Sequence, residues 1–542
     1  MIKFNCKYTP VELLSVFEKC ELLNNNAEQF DYSQTVMHPN MCSHIKAVLE
    51  DIHSSSYDKA FLMSCCDSTK RLYDVLKNER LSYYKMLDLP IESNGCSVIK
   101  LKNDLLSLVR ELEIMYKKPF SSREFINAFR NDTIVFPNSN FVLLLGARSN
   151  ASLLNAVRPI FDVPVIDMTC ANNRSVLSDG MSVDDPIDVL MGKYAKALLS
   201  QIPCMRMADL QSRRFFMEQE NCIGIIYHTI KFCDYYDYEY SKLKDGGIPI
   251  LKIETDFTSQ SGGQISTRIE GFAEAIRGSG KNNMSINKNG KYYAGIDSGS
   301  TSTELVILDS DKNIIKSIMV RTGANAGTGA KKALEQSDVK IEDIKAIVAT
   351  GYGRKNIDFA DSSVTEITCH AKGAKYLFPR VKTIIDIGGQ DSKVISLDEK
   401  GNIANFAMND KCAAGTGRFL ENMAKVLEID MNTMANKGLE YKKDLTISSM
   451  CTVFAESEVV SLIAENHDIA DIIHGLNKSV AVKTKALARN AAKDGAVMMT
   501  GGVANNKGVV KELEKQLETK IYISDKPEFC GALGAALIAM EE

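Results

Sequence analysis

Apolar and polar positions divide the chain into two differently patterned halves. In the first, short apolar runs such as Phe141–Leu145 (FVLLL) and Cys222–Tyr227 (CIGIIY) alternate with helical stretches, the pattern of stacked α/β units. Asn103–Tyr116 is amphipathic at helical spacing and predicts a helix. Lys281–Lys291 (KNNMSINKNGK) is polar, non-periodic and rich in Asn and Gly, and reads as a linker. Beyond it, Tyr292–Leu308 (YYAGIDSGSTSTELVIL) predicts two β-strands around a Gly/Ser/Thr turn, and strand–turn units recur at Thr383–Leu397 and Ala496–Asn505. The expected organisation is residues 1–280, a linker over 281–291, and residues 292–542. The first part can divide again near residue 135.

Composition narrows the class. At 542 residues the chain is too long for one core, and domains of ~100–200 residues predict three or four units. A net charge of −4 provides no basic surface, so no nucleic-acid partner is expected. No apolar run approaches the ~20 residues that span a bilayer, and the opening MIKFNCKYTP has no signal-peptide core. The expectation is a soluble cytoplasmic protein with no membrane partner. Of 14 cysteines, ten precede residue 240 and four follow residue 360. A reducing cytosol leaves buried thiols or metal ligands as their roles. No CxxC or ferredoxin-type run occurs, so any ligand set must be assembled by the fold.

The segment Gly295–Ser302 (GIDSGSTS) sets an acid and a glycine in a tight turn flanked by hydroxyls. Gly299 lets backbone approach a phosphate, Ser300, Thr301 and Ser302 can donate to it, and Asp297 can hold Mg²⁺ directly or through water. Alone, such a turn is equally an ordinary hairpin. A second copy, Ile385–Asp391 (IDIGGQD, with Asp386, Gly388, Gly389 and Gln390), and then Thr500–Asn506 (TGGVANN, with Gly501, Gly502 and Asn505) make an ordered triplet. The third element would lay adenosine against a glycine backbone.

That triplet resembles the actin, Hsp70 and sugar-kinase ATPase superfamily. Residues 292–542 resemble one branch of it, the activators of 2-hydroxyacyl-CoA dehydratases and the related benzoyl-CoA reductase ATPases. The matching stretches are GIDSGSTST, ATGYGR (349–354), IIDIGGQDSK (384–393), NDKCAAGTGRFLE (409–421), SSMCTVFAESEVVSL (448–462) and GGVANN (501–506). The resemblance implies an α/β fold of two ribonuclease-H-like lobes that binds ATP and Mg²⁺, with Lys393, Gly415 and Gly417 among the nucleotide contacts. Gln390 or Asp386 would orient the attacking water. Such activators often carry a lysine where this chain has Glu304, whose carboxylate would repel a nearby phosphate; Lys393 or Arg354 can compensate.

Cys412 and Cys451 each precede a predicted helix (RFLENMAKVLEI and TVFAESEVVSLIAE), where the helix dipole favours a thiolate. Two buried structural thiols would look the same. The resemblance implies that the pair holds half of a 4Fe–4S cluster, completed across the two-fold axis of a homodimer. Reduced ferredoxin or flavodoxin would then supply electrons that ATP hydrolysis drives onward.

Residues 30–280 resemble the cluster-bearing subunits of 2-hydroxyacyl-CoA dehydratases and the related double-cubane cluster proteins. The resemblance rests on HPNMCSHIKAVLED (38–51), SCCDSTKRLYDVL (64–76), IIYHTIKFCDYYDYE (225–239) and IPILKIETDFTSQSGGQISTRIEGFAEAI (248–276). It implies stacked Rossmann-like α/β subdomains and a second iron–sulfur group held by Cys42, Cys66 and Cys233. Cys170 and Cys204 match two further double-cubane positions, and Cys65 substitutes for a ligand missing near Ser56. Single cubane, double cubane and empty site all stay open. Cys6, Cys20, Cys96, Cys222, Cys369 and Cys530 read as structural. His38, His44 and His228 are candidate proton donors or packed histidines. Glu254 and Asp256 either face a ligand or pair with Arg268. The function expected is ATP-driven electron transfer to the N-terminal group, for reduction of a small molecule or radical dehydration of a 2-hydroxyacyl-CoA. The rivals are a sugar-kinase-like phosphotransferase and a regulatory ATPase with an empty N-terminal site.

Overall fold

The computed structural model describes residues 1–542 except Glu28, 208–214, 244–246, 257–261, 278–289, Ala324, 411–412, 448–451, 489–490, 492–495 and Glu542. It divides into two compact units, Met1–Ile269 and Glu270–Glu542. Most of the expected linker lies outside the described residues.

The first unit holds two parallel four-stranded sheets. One contains β1 (Ile2–Phe4), β2 (Cys20–Leu22), β3 (Lys59–Met63) and β4 (Tyr83–Leu87), in the order β2-β1-β3-β4. The other contains β5 (Phe141–Gly146), β6 (Val165–Asp167), β7 (Cys222–Ile230) and β8 (Ile250–Thr255), in the order β6-β5-β7-β8. The stacked Rossmann-like reading holds. In both sheets the strand order reverses beside the first strand, which creates a crevice at the carboxyl ends where doubly wound folds bind ligands. The apolar runs FVLLL and CIGIIY are the two central strands of the second sheet, and β5 is buried throughout, as strands covered on both faces require. The predicted helix is longer than expected, Gly95–Tyr116, with Asn94 accepting from the Ser97 amide as its N-cap.

The second unit repeats one sheet design twice. β9 (Tyr292–Ser298), β10 (Ser302–Leu308), β11 (Ile314–Arg321), β12 (Ile344–Thr350) and β13 (Ser362–Ser363) run in the order β11-β10-β9-β12-β13. β14 (Val381–Ile387), β15 (Ser392–Leu397), β16 (Ile403–Asn409), β17 (Ala496–Thr500) and β18 (Ile521–Tyr522) run β16-β15-β14-β17-β18. In each, three antiparallel strands continue into two parallel ones. This duplication is the two-lobed actin- and sugar-kinase-like architecture. The C-terminal helix Cys530–Glu541 is built from small residues because it lies directly on β9. A Cβ at Gly295 would stand 2.0 Å from the Ala532 carbonyl oxygen.

Candidate functional site

The two hairpin turns of the second unit face each other across a cleft of about 490 Å³. A Cβ on Gly389 would come within 2.7 Å of Thr301 Oγ1, so the turns approach closely. Asp297, Gly299, Ser300, Thr301 and Ser302 from the first turn line it, with Asp386, Gly388, Gly389, Gln390 and Lys393 from the second. Gly417, Gly501, Gly502 and Asn505 also line its walls. Gly501 has φ of +81°, a conformation glycine adopts without strain, and a Cβ there would meet the Ile387 carbonyl oxygen at 2.5 Å. Gly415 lies off the lining, and its carbonyl instead accepts a hydrogen bond from Ser392 Oγ at 2.9 Å.

The cleft floor is strongly acidic. Lys393 is buried and meets Asp391 at 2.8 Å, Asp386 at 3.2 Å and Glu366 at 3.5 Å. Burial opposes its charge, but the Asp391, Glu366 and Asp386 carboxylates hold its pKa well above that of a free lysine. Glu304 stands opposite Asp297 in the β9/β10 ladder. Burial, then the Glu304 carboxylate, pushes Asp297 up to about 8; burial raises Glu304 to about 7 and Glu366 to about 8. Asp386 is held low despite burial by His370 and Lys393. Among the described residues, Glu366, Asp386 and Asp391 share Lys393, Asp297 and Glu304 line the same cleft, and Glu366 Oε1 has no hydrogen-bond partner. This surplus of negative oxygen suits a hard divalent cation such as Mg²⁺.

Sequence reading misses Glu366, His370 and Asp391. His370 Nδ1 lies 3.1 Å from Thr500 Oγ1, and Nε2 lies 3.7 Å from Asp297. A signal for the first two exists: Glu366 and His370 stand four apart on the helix Glu366–Leu377, hence on one face. Arg354 does not line the cleft; it pairs with Glu270 at 2.6 Å. Cys412 and Cys451 lie outside the described residues.

In the first unit, a cavity of about 90 Å³ is walled by Cys6, Cys42, Cys65, Cys66, Cys170, Cys204 and Cys233. Cys6, Cys65 with Cys66, Cys170 and Cys233 follow the carboxyl ends of β1, β3, β6 and β7. The sites after β1 and β3, and after β5 and β7, are the crevices where strand order reverses. Cys42 and Cys66 are the N-caps of the helices Ser43–Ser54 and Asp67–Leu76, and Cys233 immediately precedes the helix Asp234–Leu243. Backbone N–H groups there favour the charged sulfur, those of His44 and Ile45 at Cys42, of Thr69 at Cys66 and of Tyr236 at Cys233.

The thiols form two electrostatic groups. Burial, then the Cys66 thiolate, raises Cys42 to about 11; Cys233 is raised by burial, then by Cys42, Cys66 and Cys170, so Cys170 also reaches across to this group. Cys204, Cys6 and Cys170 instead surround Tyr8, which burial and then those thiolates push up. Cys65 stands between the groups: hydrogen bonding to Cys6, and burial, raise it well above its ordinary value, and its hydrogen bond raises Cys66 in turn. Cys6, which reads from sequence as structural, is thus a cavity thiol.

Among the described residues no three His, Cys, Asp or Glu side chains converge at single-ion distance. Seven thiols around a volume of several atoms suit a cluster of metals better than one ion. The buried Arg148 lines the same cavity, and its Nη1 has no hydrogen-bond partner, which is the polarity an anionic cluster requires.

The histidines separate clearly. His228 is packed, with Nδ1 at 2.9 Å from the Ala147 carbonyl and Nε2 at 2.8 Å from Thr255 Oγ1, and burial lowers it to about 4. His38 is exposed. His44 lines the cavity, and burial lowers it to about 3, so it is neutral there. Glu254 and Asp256 lie at the carboxyl end of β8 and do not line the cavity. Among the described residues no helix is long and apolar enough to cross a membrane.

Known proteins match each half separately. A profile of the BadF/BadG/BcrA/BcrD ATPase family matches residues 294–539, and one of the 2-hydroxyglutaryl-CoA dehydratase D-component matches residues 6–132 and 149–276. The 2-hydroxyisocaproyl-CoA dehydratase activator of Clostridioides difficile is 45% identical over 255 residues, 46% of this chain and 96% of that protein. The activator of lactoyl-CoA dehydratase of Anaerotignum propionicum is 49% identical over 253 residues, 46% of this chain and 98% of that protein. The solved Clostridium difficile activator with bound ADPNP is 44% identical and covers 46% of this chain and 94% of its own, with a TM-score of 0.45.

Proposed function

The chain belongs, through residues 294–539, to the BadF/BadG/BcrA/BcrD ATPase family, and from that premise we propose that it is a single-chain reductase in which ATP hydrolysis drives electrons to an iron–sulfur group in its own N-terminal unit. The observation that carries this reading is the convergence of seven thiols on one cavity in a chain that also carries the ATPase. Fusion gives donor and acceptor halves a high effective concentration.

In the ATPase unit, Gly299–Ser302, Gly388 and Gly389 cradle the phosphates, and Gly501, Gly502 and Asn505 take the adenosine. Asp297 holds Mg²⁺, while Asp386 or Gln390 orients the water that attacks the γ-phosphate. Cys412 and Cys451 hold half of a 4Fe–4S cluster completed by a second copy of the chain, and reduced ferredoxin or flavodoxin is the electron source. In the N-terminal unit, Cys42, Cys66 and Cys233 form one ligand set and Cys6, Cys170 and Cys204 the other, the six thiolates that two sulfide-bridged cubanes require. Such a group supplies single electrons at low potential. Cys65 lies between the two sets. The acceptor is a small molecule or an acyl-CoA, and the chain works in the cytoplasm.

Anaerobically purified protein should be brown and hydrolyse ATP with no added sugar. One shared 4Fe–4S cluster contributes about two irons per chain and a double cubane about eight more. Cys412→Ala/Cys451→Ala should lose only the first contribution. A variant stripped of all its iron would instead fit an ATPase with an empty N-terminal site, and sugar-dependent turnover a kinase.

Glu304 makes a separate prediction. Its carboxylate lines the phosphate side of the cleft and faces Asp297. Glu304→Lys should tighten nucleotide binding about tenfold, roughly 1.4 kcal/mol, and weaken its dependence on Mg²⁺. Calorimetric titration with a non-hydrolysable ATP analogue checks this. Equal affinity in both proteins would mean that Glu304 does not meet the phosphates.

A further inference from the structure

Arg148 lines the cavity and belongs to neither of the two proposed ligand sets. It follows β5, whose carboxyl end opens on the crevice between β5 and β7. It falls between the two segments, 6–132 and 149–276, that match the dehydratase component. Its side chain is 8% exposed, Nη2 donates to the Leu23 carbonyl, and Nη1 has no hydrogen-bond partner. No ion pair to Arg148 is seen among the described residues. A buried guanidinium held by one neutral carbonyl is costly, because desolvation of its charge is not repaid. The other buried cation of the cavity, Lys7, is already engaged by Asn173 Oδ1 at 3.0 Å and by the Ile202 carbonyl. The groups that favour the Arg148 charge are Cys170 first, then Cys6 and Asp51, and the two thiols line the same cavity.

We propose that Arg148 is the fixed counter-charge of the N-terminal iron–sulfur group, a positioning residue whose Nη1 donates toward the Cys6/Cys170 side and raises the reduction potential of the group. The inference rests on the reading that these thiols hold such a group. A cluster with thiolate ligands is anionic, and each added electron makes it more so. A cation fixed beside it stabilises the reduced form more than the oxidised one, and hydrogen bonds toward the sulfurs act in the same direction. Arg148 also opposes the effect of burial on the thiols, which must ionise before they can bind metal. A guanidinium suits this position because it stays charged where an imidazole sheds its proton, as His44 does on the same wall.

The test uses the full chain carrying Cys412→Ala/Cys451→Ala, so that only the N-terminal group contributes iron, followed by redox titration monitored by EPR. Arg148→Met should keep iron and sulfide and shift the oxidised-to-reduced ratio at a given potential at least tenfold toward oxidised, a fall of about 59 mV for one electron. Arg148→Lys should keep most of the original potential. Loss of iron from Arg148→Met but not from Arg148→Lys would equally support a required charge. Loss from both would show a packing role, and an unmoved potential with full iron would remove the counter-charge; either overturns the proposal. Absence of iron from the parent chain, before Arg148 is touched, would overturn the underlying reading instead.

Discussion

Lys393→Met is expected to lower the melting temperature of the nucleotide-free chain by about 6–20 °C and to abolish ATP hydrolysis. The lysine sits among Asp386, Asp391 and Glu366, all within 3.5 Å of its Nζ and all buried. Removing one partner of a buried ion pair typically costs 3–5 kcal/mol, because the remaining charge is left desolvated, and about 1 kcal/mol moves the melting point of a domain this large by ~2–4 °C. Protonation limits the damage, which fixes the pH dependence. Asp297, Glu304 and Glu366 already have folded-state values of about 8, 7 and 8, above the ordinary carboxyl value near ~4. Between those limits the folded state binds more protons than the unfolded one, so stability is full at low pH and falls as pH rises toward 8. Without Lys393 these carboxyls hold their protons more tightly still, so the variant should lose more stability at pH 8 than at pH 6. Mg²⁺ should restore part of it, most at the higher pH. Thermal melts at the two pH values, with and without Mg²⁺, read all of this. An equal loss at both would mean that the carboxylates are not jointly titrating around Lys393.

The parts of this site that can be read from sequence are those whose chemistry is local. A strand, an acid and a glycine turn occur within eight residues, so Asp297, Asp386 and their glycines are legible in the chain itself. The placement of Glu366 and His370 on one helix face is equally local, one helical turn apart, but the helix has no phosphate-turn signature beside it. Gly415 differs: it sits in a motif with cleft residues on its C-terminal side, but it lies off the lining, has a positive φ, and its carbonyl accepts from Ser392 Oγ. Cys6 escapes a sequence reading because nothing near it in the chain carries metal chemistry. Cys170 and Cys204 are more than 160 residues away and line one cavity with it, Cys170 because β1 and β6 both end there and Cys204 from the segment before Met205–Met207. What does carry over is the rule that ligands gather where strand order reverses in a parallel sheet. Applied to IKF as a first strand, that rule singles out Cys6 two residues beyond its end. Arg148 follows from the same rule applied to FVLLLG.

That contrast sets up the second large effect. Cys6→Ala should remove about four irons per chain, one cubane, whereas Cys65→Ala should leave the iron content unchanged. From sequence Cys65 is the natural sixth ligand, being adjacent to Cys66 and close to the missing thiol. The cavity argues otherwise. Cys65 is tied to its neighbours by hydrogen bonds: Thr69 Oγ1 lies 3.3 Å from its sulfur and Asn5 Nδ2 lies 3.6 Å away, with Cys6 and Cys66 on either side. We assign Cys6 with Cys170 and Cys204 because all three act on Tyr8, and on that assignment two sets of three form without Cys65. If the thiols at Cys65 and Cys66 both bound the first cubane, that set would hold four and the second only three with Cys6, or two without it. A symmetric pair of three-thiolate sites leaves one iron of each cubane for a bridging sulfide, which is the arrangement that six ligands can complete. Iron and sulfide analysis of the two single variants therefore distinguishes the assignments directly. Loss of iron from Cys65→Ala with full iron in Cys6→Ala would return the sixth position to Cys65. In that case Cys6 would be a packed thiol beneath Tyr8, and Arg148 would lose one of the two thiolates that favour its charge.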